Sequence, residues 1–323
     1  MEQEFMISAL LQKVECAIGI AGHAFIVGVN LLDWTKRRRL STCDIILTCL
    51  GVTQFCFLTT ILVGHAPWLG DLRPDAYELA AKIRLAAELS LGYISFWLNA
   101  WLYVFYCVKI ATFNHPIFRW LKIRIPKLMP YLLAGSVPAS LPWSLPVPWC
   151  FYHPCYLNMT DDTCISRPDL PHDGEFYEVG SYDQEMIYVY TLGYSLPFLI
   201  FFISAGLLVA SLGRHAWQMG NSEEVGLGSS HREVHFRAVT SVLAFTFIVL
   251  VYFIILMYKL DNSKNRYSAW ICPIVEAVYP VAHCFILILT NSKLKGVTVG
   301  ILCCVKCKAK QGNSSHLSAD LTQ

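Results

Sequence analysis

The chain has 323 residues, of which 55% are hydrophobic and 15% are charged, and its formal net charge is +2. Soluble globular domains carry about 25% charged residues, so most of this chain must be buried, in lipid or in the protein interior. The near-neutral charge argues against nucleic acid as a partner. The first five residues hold two acids and no base, unlike a secretory signal, so we expect the first apolar span to direct membrane insertion.

Seven apolar segments are long enough to cross a bilayer as α-helices, which takes about 20 residues each. These spans cover residues 7–32, 44–67, 82–111, 127–147, 184–214, 233–258 and 269–291. They predict an all-α membrane protein, a seven-transmembrane-helix bundle within residues 1–302, followed by a polar cytoplasmic tail over 303–323. The sequence shows no internal repeat, which argues against a transporter built from two similar halves.

The positions of lysine and arginine predict how the spans are oriented. Seventeen of these residues flank the side that carries the C-terminus, and seven flank the other side. Positive residues concentrate on the cytoplasmic side of membrane proteins. We therefore expect a multi-pass plasma-membrane protein with an extracellular N-terminus and a cytoplasmic C-terminus.

The longest outer loop, over residues 149–183, is rich in acids and carries the sequence Asn158-Met159-Thr160. This triplet is an N-glycosylation sequon on the side where the modifying enzyme works, so we predict a glycan on Asn158. Three cysteines share the loop. An oxidising compartment would allow one disulfide between two of them, in a pairing that the sequence leaves open: Cys150, Cys155 and Cys164.

Seven helices with an outer N-terminus suggest a G-protein-coupled receptor, but the usual signatures of the rhodopsin-like class are missing. The chain has no E/DRY after the third span, no NPxxY in the seventh, and no proline inside the sixth. It also lacks a cysteine near the outer end of the third span, so the common disulfide to the second outer loop cannot form there.

Residues 105–125 read FYCVKIATFNHPIFRWLKIRI, in which basic residues alternate with aromatic ones just past an apolar helix. This composition is typical of a helix that leaves the bilayer on its cytoplasmic side. The run also resembles the end of the third helix in the type 2 (bitter) taste receptors, where the pattern is FY-x-x-KIA-x-F-x-x-P-x-F-x-x-LK-x-R.

Four further segments resemble the same family, in the same order along the chain. They are DWTKRRRLSTCDIIL (33–47), SLGRHAWQM (211–219), HFRA (235–238) and YPVAHCFILILTNSKLK (279–295). In the first segment, Ser41 can cap the second helix, and Asp44 in its first turn is favoured by the helix dipole.

The resemblance implies a receptor that senses small bitter compounds and activates a gustducin-like, inhibitory-class heterotrimeric G protein. We expect the contacts to that G protein to include Lys109, Arg119, His215, His235 and Arg237. The related vomeronasal type 1 pheromone receptors are an alternative, against which the KIA and KLK motifs argue. A small-solute transporter or an intramembrane enzyme is another, but no nucleophile–base motif or paired intramembrane aspartates are present.

Several positions depart from the family pattern. His23 stands where the family usually has an asparagine in the first helix, and Gln54 stands where it has an arginine in the second. These two side chains could still hydrogen-bond, without a fixed charge. Thr240 replaces a lysine of the sixth helix. Glu88 and Gly92 replace a tryptophan and an asparagine that many members carry in the third helix, so the agonists cannot be copied from relatives.

A small, mostly apolar ligand is expected between the outer halves of the third, fifth, sixth and seventh helices. The helix residues that could face this pocket are Glu88, Leu91, Gly92, Ser95, Tyr190, Tyr194, Tyr252 and Glu276. Because ionisable groups within spans are costly, Glu88 either meets a cationic ligand nitrogen, pairs with Arg84, or points to the interface. If Glu88 and Glu276 both face the pocket, it should favour cationic amines.

Two further patterns have both a functional and a plain structural interpretation. His231 and His235 are four residues apart, as in a zinc site, but the acid lies at the wrong position for HExxH, so we expect neither a metal nor a cofactor. The cysteines after the seventh span follow a basic amphipathic stretch and are either palmitoylated or free thiols: Cys303, Cys304 and Cys307.

Overall fold

The structure is a computed structural model that describes residues 2–64, 72–111, 116–158, 164–165, 176–182, 185–220, 228–261 and 266–304. The helices in these ranges are α1 Glu2–Arg37, α2 Thr42–Gly64, α3 Pro74–Ile110, α4 Pro116–Ser144, α5 Val147–Cys150, α6 Met186–Gly220, α7 Gly228–Asp261 and α8 Arg266–Thr290. A further helix, α9, covers residues 292–304. We call the end of the bundle that carries α9 the inner end, and the opposite end the outer end.

Within the described residues, six helices are long and apolar enough to cross a membrane: α1, α2, α3, α6, α7 and α8. The remaining long helix, α4, has 29 residues, which gives a length of about 43 Å. Its first half is basic and its second half is rich in proline and serine, which lowers the mean hydropathy. Four prolines lie inside it: Pro126, Pro130, Pro138 and Pro142.

Two serines of α4 form hydrogen bonds with side chains of α3. The indole Nε1 of Trp101 donates to Ser136 Oγ at 3.1 Å, and Ser90 Oγ donates to Ser144 Oγ at 2.8 Å. Ser136 Oγ in turn donates to the carbonyl oxygen of Leu132 at 2.9 Å. Because each hydroxyl bonds within the bundle, α4 presents few unmet donors to lipid despite its polar composition.

Side-chain caps mark where two of the helices begin. The backbone N–H of Asp44 donates to Ser41 Oγ at 3.1 Å, which confirms Ser41 as the cap of α2. Asn291 does the same for α9, since its Oδ1 accepts from the N–H groups of Lys293 and Leu294 at 3.0 and 3.2 Å. These bonds satisfy donors that the first turn of a helix otherwise leaves unpaired.

The two largest buried clusters form most of the core, and α3 takes part in both. One cluster joins α3, α6, α7 and α8 around aromatic rings such as those of Tyr93, Tyr194 and Phe245. The other lies nearer the inner end and joins α1, α2, α3, α4 and α8 around aliphatic side chains such as Leu50 and Leu102. Because α3 packs against α2, α4 and α6, it is the central helix of the bundle.

The long outer loop contains a small antiparallel sheet, which the sequence analysis did not predict. Its strands are β1 Tyr152–Asn158, β2 Cys164–Ile165 and β3 Phe176–Tyr182, in the order β2-β1-β3. Tyr152 pairs with Tyr182 at one end of the β1–β3 ladder, and Asn158 pairs with Phe176 at the other. The strands are short and lack a clean alternation of polar and apolar residues, so periodicity gives little signal here.

Candidate functional site

A small cavity of about 60 Å³ lies in the outer half of the bundle. Its walls come from α2, α3, α6, α7 and α8 and comprise Phe57, Ile61, Leu85, Glu88, Leu89, Gly92, Tyr190, Tyr194, Tyr252, Leu256, Lys259, Leu260 and Glu276. The structure thus brings together six of the eight pocket residues expected from the sequence. The other two do not line the cavity: Leu91 is half-buried, and Ser95 is buried with no partner for its Oγ among the described residues.

Both carboxylates of the cavity wall are paired with cations. Glu88 Oε1 accepts from Arg84 Nη1 at 2.7 Å, one turn earlier on α3, so Glu88 faces the cavity and also forms the expected pair. Glu276 Oε1 accepts from Lys259 Nζ at 2.7 Å, which joins α8 to α7. Lys259 lines the cavity as well, so the wall carries both signs of charge. Lys259 was not predicted from the sequence, because the proximity of α7 and α8 at this point is a tertiary feature.

The inward side of the cavity is a layer of stacked aromatic rings. The rings of Tyr93 and Tyr194 stack with centroids 4.2 Å apart, and the Phe96 ring meets Tyr194 edge-on at 4.8 Å. Tyr252 stacks on Tyr279 at 4.5 Å. A drug-sized ligand needs a pocket of about 300–1,000 Å³, so such a ligand fits here only if some of these rings move.

Glycines set how closely the tyrosines of this layer can approach the helices. A Cβ at Gly193 would lie 2.7 Å from the nearest atom of the Tyr93 ring, and a Cβ at Gly92 would lie 3.0 Å from the Tyr194 hydroxyl oxygen. Tyr93 is fully buried, and its hydroxyl has no partner among the described residues. The Tyr93 ring can therefore occupy this position only because residue 193 is a glycine.

Below the aromatic layer, polar side chains link the helices of the bundle centre. Asn99 Nδ2 donates to the Ser95 carbonyl oxygen at 2.8 Å and to the Tyr279 hydroxyl at 3.2 Å, which ties α3 to α8. His23 Nε2 bonds to the Pro280 carbonyl oxygen at 3.1 Å. The bond that His23 and Gln54 could make does not form, since His23 Nδ1 and Gln54 Oε1 both lack partners within the described part of the chain. The first helix is tied to α8 here rather than to α2.

A larger cavity of about 500 Å³ opens at the inner end. It lies among α3, α6, α7, α8 and α9 and is lined by Leu102, Tyr103, Tyr106, Ile110, Leu208, Leu212, Val242, Phe245, His283, Ile286, Leu287, Leu289, Thr290, Ser292 and Lys295. Sequence reasoning missed all of these residues, although Lys295 belongs to the KLK motif at the end of the seventh span and could have been found from it.

Two of the five expected G-protein contacts, Lys109 and Arg119, have described side chains, and neither lines this cavity. Lys109 is exposed at the last turn of α3, with its Nζ 5.5 Å from the centroid of the Phe105 ring. Arg119 is exposed near the start of α4. His215 belongs to α6, and His235 and Arg237 belong to α7; their side chains lie outside the described residues.

An ion network ties α9 to the end of α1 and the first turn of α2. Lys293 Nζ lies 2.8 Å from Asp33 Oδ2, 3.5 Å from Asp44 Oδ1 and 3.0 Å from Asn30 Oδ1. Arg37 adds a more exposed pair to the same carboxylate, with its Nε 2.9 Å from Asp33 Oδ1. We call Lys293, Asp33, Asp44 and Asn30 the inner ion network.

The predicted modification sites fall partly outside the described residues. Asn158 ends β1, but its side chain and the rest of the sequon are not described. Cys150 is free and exposed, while the side chains of Cys155 and Cys164 lie beyond the description.

At the other end of the chain, Cys303 and Cys304 are free and exposed on α9, and Cys307 is outside the described range. Among the described residues, no group of three or more metal-ligating side chains converges. The side chains of His231 and His235 are not part of that set.

Comparison with known proteins gives one consistent match. The family model for "Taste receptor protein (TAS2R)" matches residues 1–306. "Taste receptor type 2 member 9" of Papio hamadryas is 32% identical over 297 residues, covering 90% of this chain and 92% of that protein. The human protein of the same name is 32% identical over 305 residues, covering 91% and 92%. "Taste receptor type 2 member 7" of Rattus norvegicus is 31% identical over 304 residues, covering 92% and 94%.

The fold also matches a solved structure. The crystal structure of squid rhodopsin superposes with a TM-score of 0.63 and covers 94% of this chain and 86% of the rhodopsin chain, at 13% sequence identity. At that identity the likeness concerns the arrangement of the helices alone. Its family and its fold together establish that the chain belongs to the taste receptor type 2 (TAS2R) family and is a multi-pass membrane protein with the seven-helix fold of the G-protein-coupled receptors.

Proposed function

We propose that this protein is a bitter taste receptor, which binds small bitter compounds in its outer half and activates a heterotrimeric G protein at its inner end. The TAS2R match over residues 1–306 carries this proposal. The family and the fold are those of receptors rather than enzymes. The curated relatives are taste receptors, so a pheromone receptor or a transporter is not favoured.

The outer cavity is the proposed agonist site, with contacts from the six predicted residues that line it: Glu88, Gly92, Tyr190, Tyr194, Tyr252 and Glu276. Its wall combines tyrosine rings with two ion pairs, a mixture that suits an apolar ligand with one polar or charged group. A cationic amine would replace Arg84 or Lys259 as the partner of a carboxylate. Neither carboxylate is unpaired, so a preference for amines would depend on how well the amine competes with these two cations for a carboxylate.

The inner cavity is the proposed docking point for the G protein, of the gustducin-like, inhibitory class. Its volume of about 500 Å³ and its largely apolar wall suit the apolar face of a helix from that partner. The basic residues and histidines that the sequence predicts as contacts would meet the partner's polar surface: Lys109, Arg119, His215, His235 and Arg237. This role requires the plasma membrane, with the N-terminus outside and the C-terminus in the cytoplasm.

Two covalent modifications complete the proposal. A glycan on Asn158 would lie in the outer loop, at the last residue of β1. Palmitoyl groups on Cys303, Cys304 or Cys307 would hold α9 against the inner leaflet, where its exposed apolar side chains already point away from the bundle: Val297, Val299, Ile301 and Leu302.

A cell assay tests the proposal directly. Cells that express the receptor with a matched, gustducin-like G protein are exposed to a panel of bitter compounds, and intracellular calcium is recorded. We expect at least one agonist, with no response in cells that lack the receptor. Silence across the panel, at confirmed surface expression and together with measurable solute flux, would favour a transporter instead.

A further inference from the structure

The loop between α1 and α2 carries an exposed serine directly after a run of basic residues. Arg38 and Arg39 stand three and two positions before Ser41, and Lys36 and Arg37 form the last turn of α1 before them. Residues 38–41 belong to neither helix, and the Ser41 side chain is exposed. The ligand and G-protein sites proposed above make no use of this hydroxyl.

We propose that Ser41 is a phosphorylation site for a basophilic serine/threonine kinase. Kinases of this class select their substrates by charge pattern: acidic residues of the kinase bind paired arginines that precede the acceptor hydroxyl. The γ-phosphoryl group of ATP is transferred to Ser41 Oγ, so that an Oγ–P bond forms and the bond from phosphorus to the β-phosphate oxygen breaks. ADP leaves, and the hydroxyl proton passes to the catalytic aspartate of the kinase.

The two arginines that a kinase would read are available to it. Both are exposed, and within the described ranges neither takes part in an ion pair. The Arg38 guanidinium lies over the Trp34 ring, 6.0 Å from the ring centroid, where a kinase carboxylate can displace the contact. Arg37 differs, because its Nε is already bound to Asp33 at 2.9 Å. The structure therefore distinguishes the two arginines that a kinase would bind from Arg37, which is already paired within α1.

The backbone of the loop can also be drawn out into a kinase cleft. Arg38, directly after α1, has a φ of 55°, in the left-handed region that disfavours residues with a Cβ, and an extended segment would relieve this. On the other side of Ser41, two hydrogen bonds hold the first turn of α2. Asp44 N donates to Ser41 Oγ at 3.1 Å, and Ile45 N donates to the Ser41 carbonyl oxygen at 3.0 Å.

A phosphate on Ser41 would disturb the inner ion network. Ser41 Oγ now donates to Asp44 Oδ2 at 2.8 Å, and the other oxygen of that carboxylate lies 3.5 Å from Lys293 Nζ. Phosphoserine lacks the hydroxyl proton and brings a charge of about −1.5 to −2, so it repels Asp44 and competes for Lys293. Phosphorylation is therefore expected to loosen α9 and to weaken the response to agonist. This effect rests on the proposed function, whereas the phosphorylation itself does not.

Labelling of the purified receptor tests the site. The full chain in detergent micelles is incubated with labelled ATP and the catalytic subunit of cAMP-dependent protein kinase, and the modified residue is mapped by mass spectrometry. We expect label on Ser41, and none at position 41 in Ser41→Asn, which retains a capping oxygen and therefore the start of α2. Arg38→Gln with Arg39→Gln should lower the labelling rate at least about tenfold, and Arg37→Gln should leave it nearly unchanged.

Two results of this experiment would overturn the proposal. One is an unlabelled Ser41 in the folded receptor while a peptide of residues 33–46 is labelled in parallel. The other is an unchanged labelling rate when Arg38 and Arg39 are both replaced.

A second experiment tests the effect of phosphorylation on signalling separately from the phosphorylation of Ser41 itself. Cells with raised cyclic AMP should respond less to agonist through the wild-type receptor and normally through Ser41→Asn. A labelled Ser41 with an unchanged response would refute the effect on signalling and leave the site standing. Failure of every agonist on the unmodified receptor would instead count against the proposed function.

Discussion

The two ends of the bundle differ in how much space they leave and in how their charges are arranged. The outer cavity holds about 60 Å³, between two ion pairs and a stack of tyrosines. The inner cavity holds about 500 Å³ and is largely apolar. Charged groups nearby are paired with one another in the inner ion network around Lys293. In the third helix, the outer part departs from the family pattern at Glu88 and Gly92, while the inner part retains it in the FYCVKIA run. The part of this helix that lines the proposed agonist site therefore differs from the family, and the part at the proposed G-protein end resembles it.

The largest effect is expected at the inner end. Lys293→Met leaves the carboxylates of Asp33 and Asp44 without their shared cation and frees α9, so we expect the melting temperature to fall by about 6 °C and the agonist response to be lost. Thermal unfolding in detergent and calcium signalling measure the two effects. Arg37→Met is the matched control, because it removes an exposed partner of the same Asp33 and should change little. Equal losses in both variants would show that Lys293 has no special place in the network.

The next effect concerns the aromatic layer of the outer half. Gly193→Ala places a methyl group 2.7 Å from the buried Tyr93 ring, and we expect a loss of about 1–3 kcal/mol from overpacking. Gly206→Ala lies on the same helix with nothing within 4 Å of the new atom, so it should be neutral or slightly stabilising. The thermal stability of both variants checks this. A tolerated alanine at position 193 would mean that the Tyr93 ring moves freely, and that the outer cavity opens more easily than its packing indicates.

A smaller, ligand-dependent effect is expected at the ion pairs of the outer cavity. Glu88→Gln and Glu276→Gln should each weaken the response to cationic agonists about tenfold and spare neutral ones, because only the former need a carboxylate partner. Dose–response curves for agonists of both charge types measure the difference. Glu78→Gln is a suitable control, since Glu78 lies on the same helix and pairs with Lys82 outside the cavity. Equal loss for both agonist types would contradict direct recognition of the ligand charge.

The smallest effect is expected between the two ends. Gln54 is buried, and its Oε1 has no partner among the described residues, so Gln54→Leu should change the stability by less than about 0.5 kcal/mol. His23→Leu removes a bond to the Pro280 carbonyl oxygen and should cost about 1 kcal/mol more. Thermal unfolding again compares the two variants. A large loss for Gln54→Leu would indicate a bound water that completes the amide.

The helices were predictable because apolar runs of about twenty residues have the length and composition of membrane-spanning helices. It was also predictable that Glu88 and Glu276 line the same cavity, since charged groups within spans face cavities or partners. Their pairing with Arg84 and Lys259 followed different rules. Arg84 is one turn away on the same helix and was foreseen as an alternative, whereas Lys259 comes from another helix and was not.

Other features depended on tertiary structure in the same way. The close approach of Gly193 to Tyr93 and the bond from His23 to Pro280 both join residues far apart in sequence. The sequence allowed a bond between His23 and Gln54 without predicting it, and the structure instead pairs His23 with the Pro280 carbonyl oxygen. The sheet of the outer loop was missed because its strands carry no clear alternation.

The small volume of the outer cavity has a consequence for apparent affinity. Because the proposed agonist site has room for little more than a few water molecules, an agonist would bind there through a minority of open molecules. The apparent dissociation constant is then the intrinsic constant divided by the open fraction, so a tenfold rarer open form needs about a tenfold higher agonist concentration. Substitutions that loosen the tyrosine stack would lower the threshold for every agonist at once, without adding a single contact to any of them.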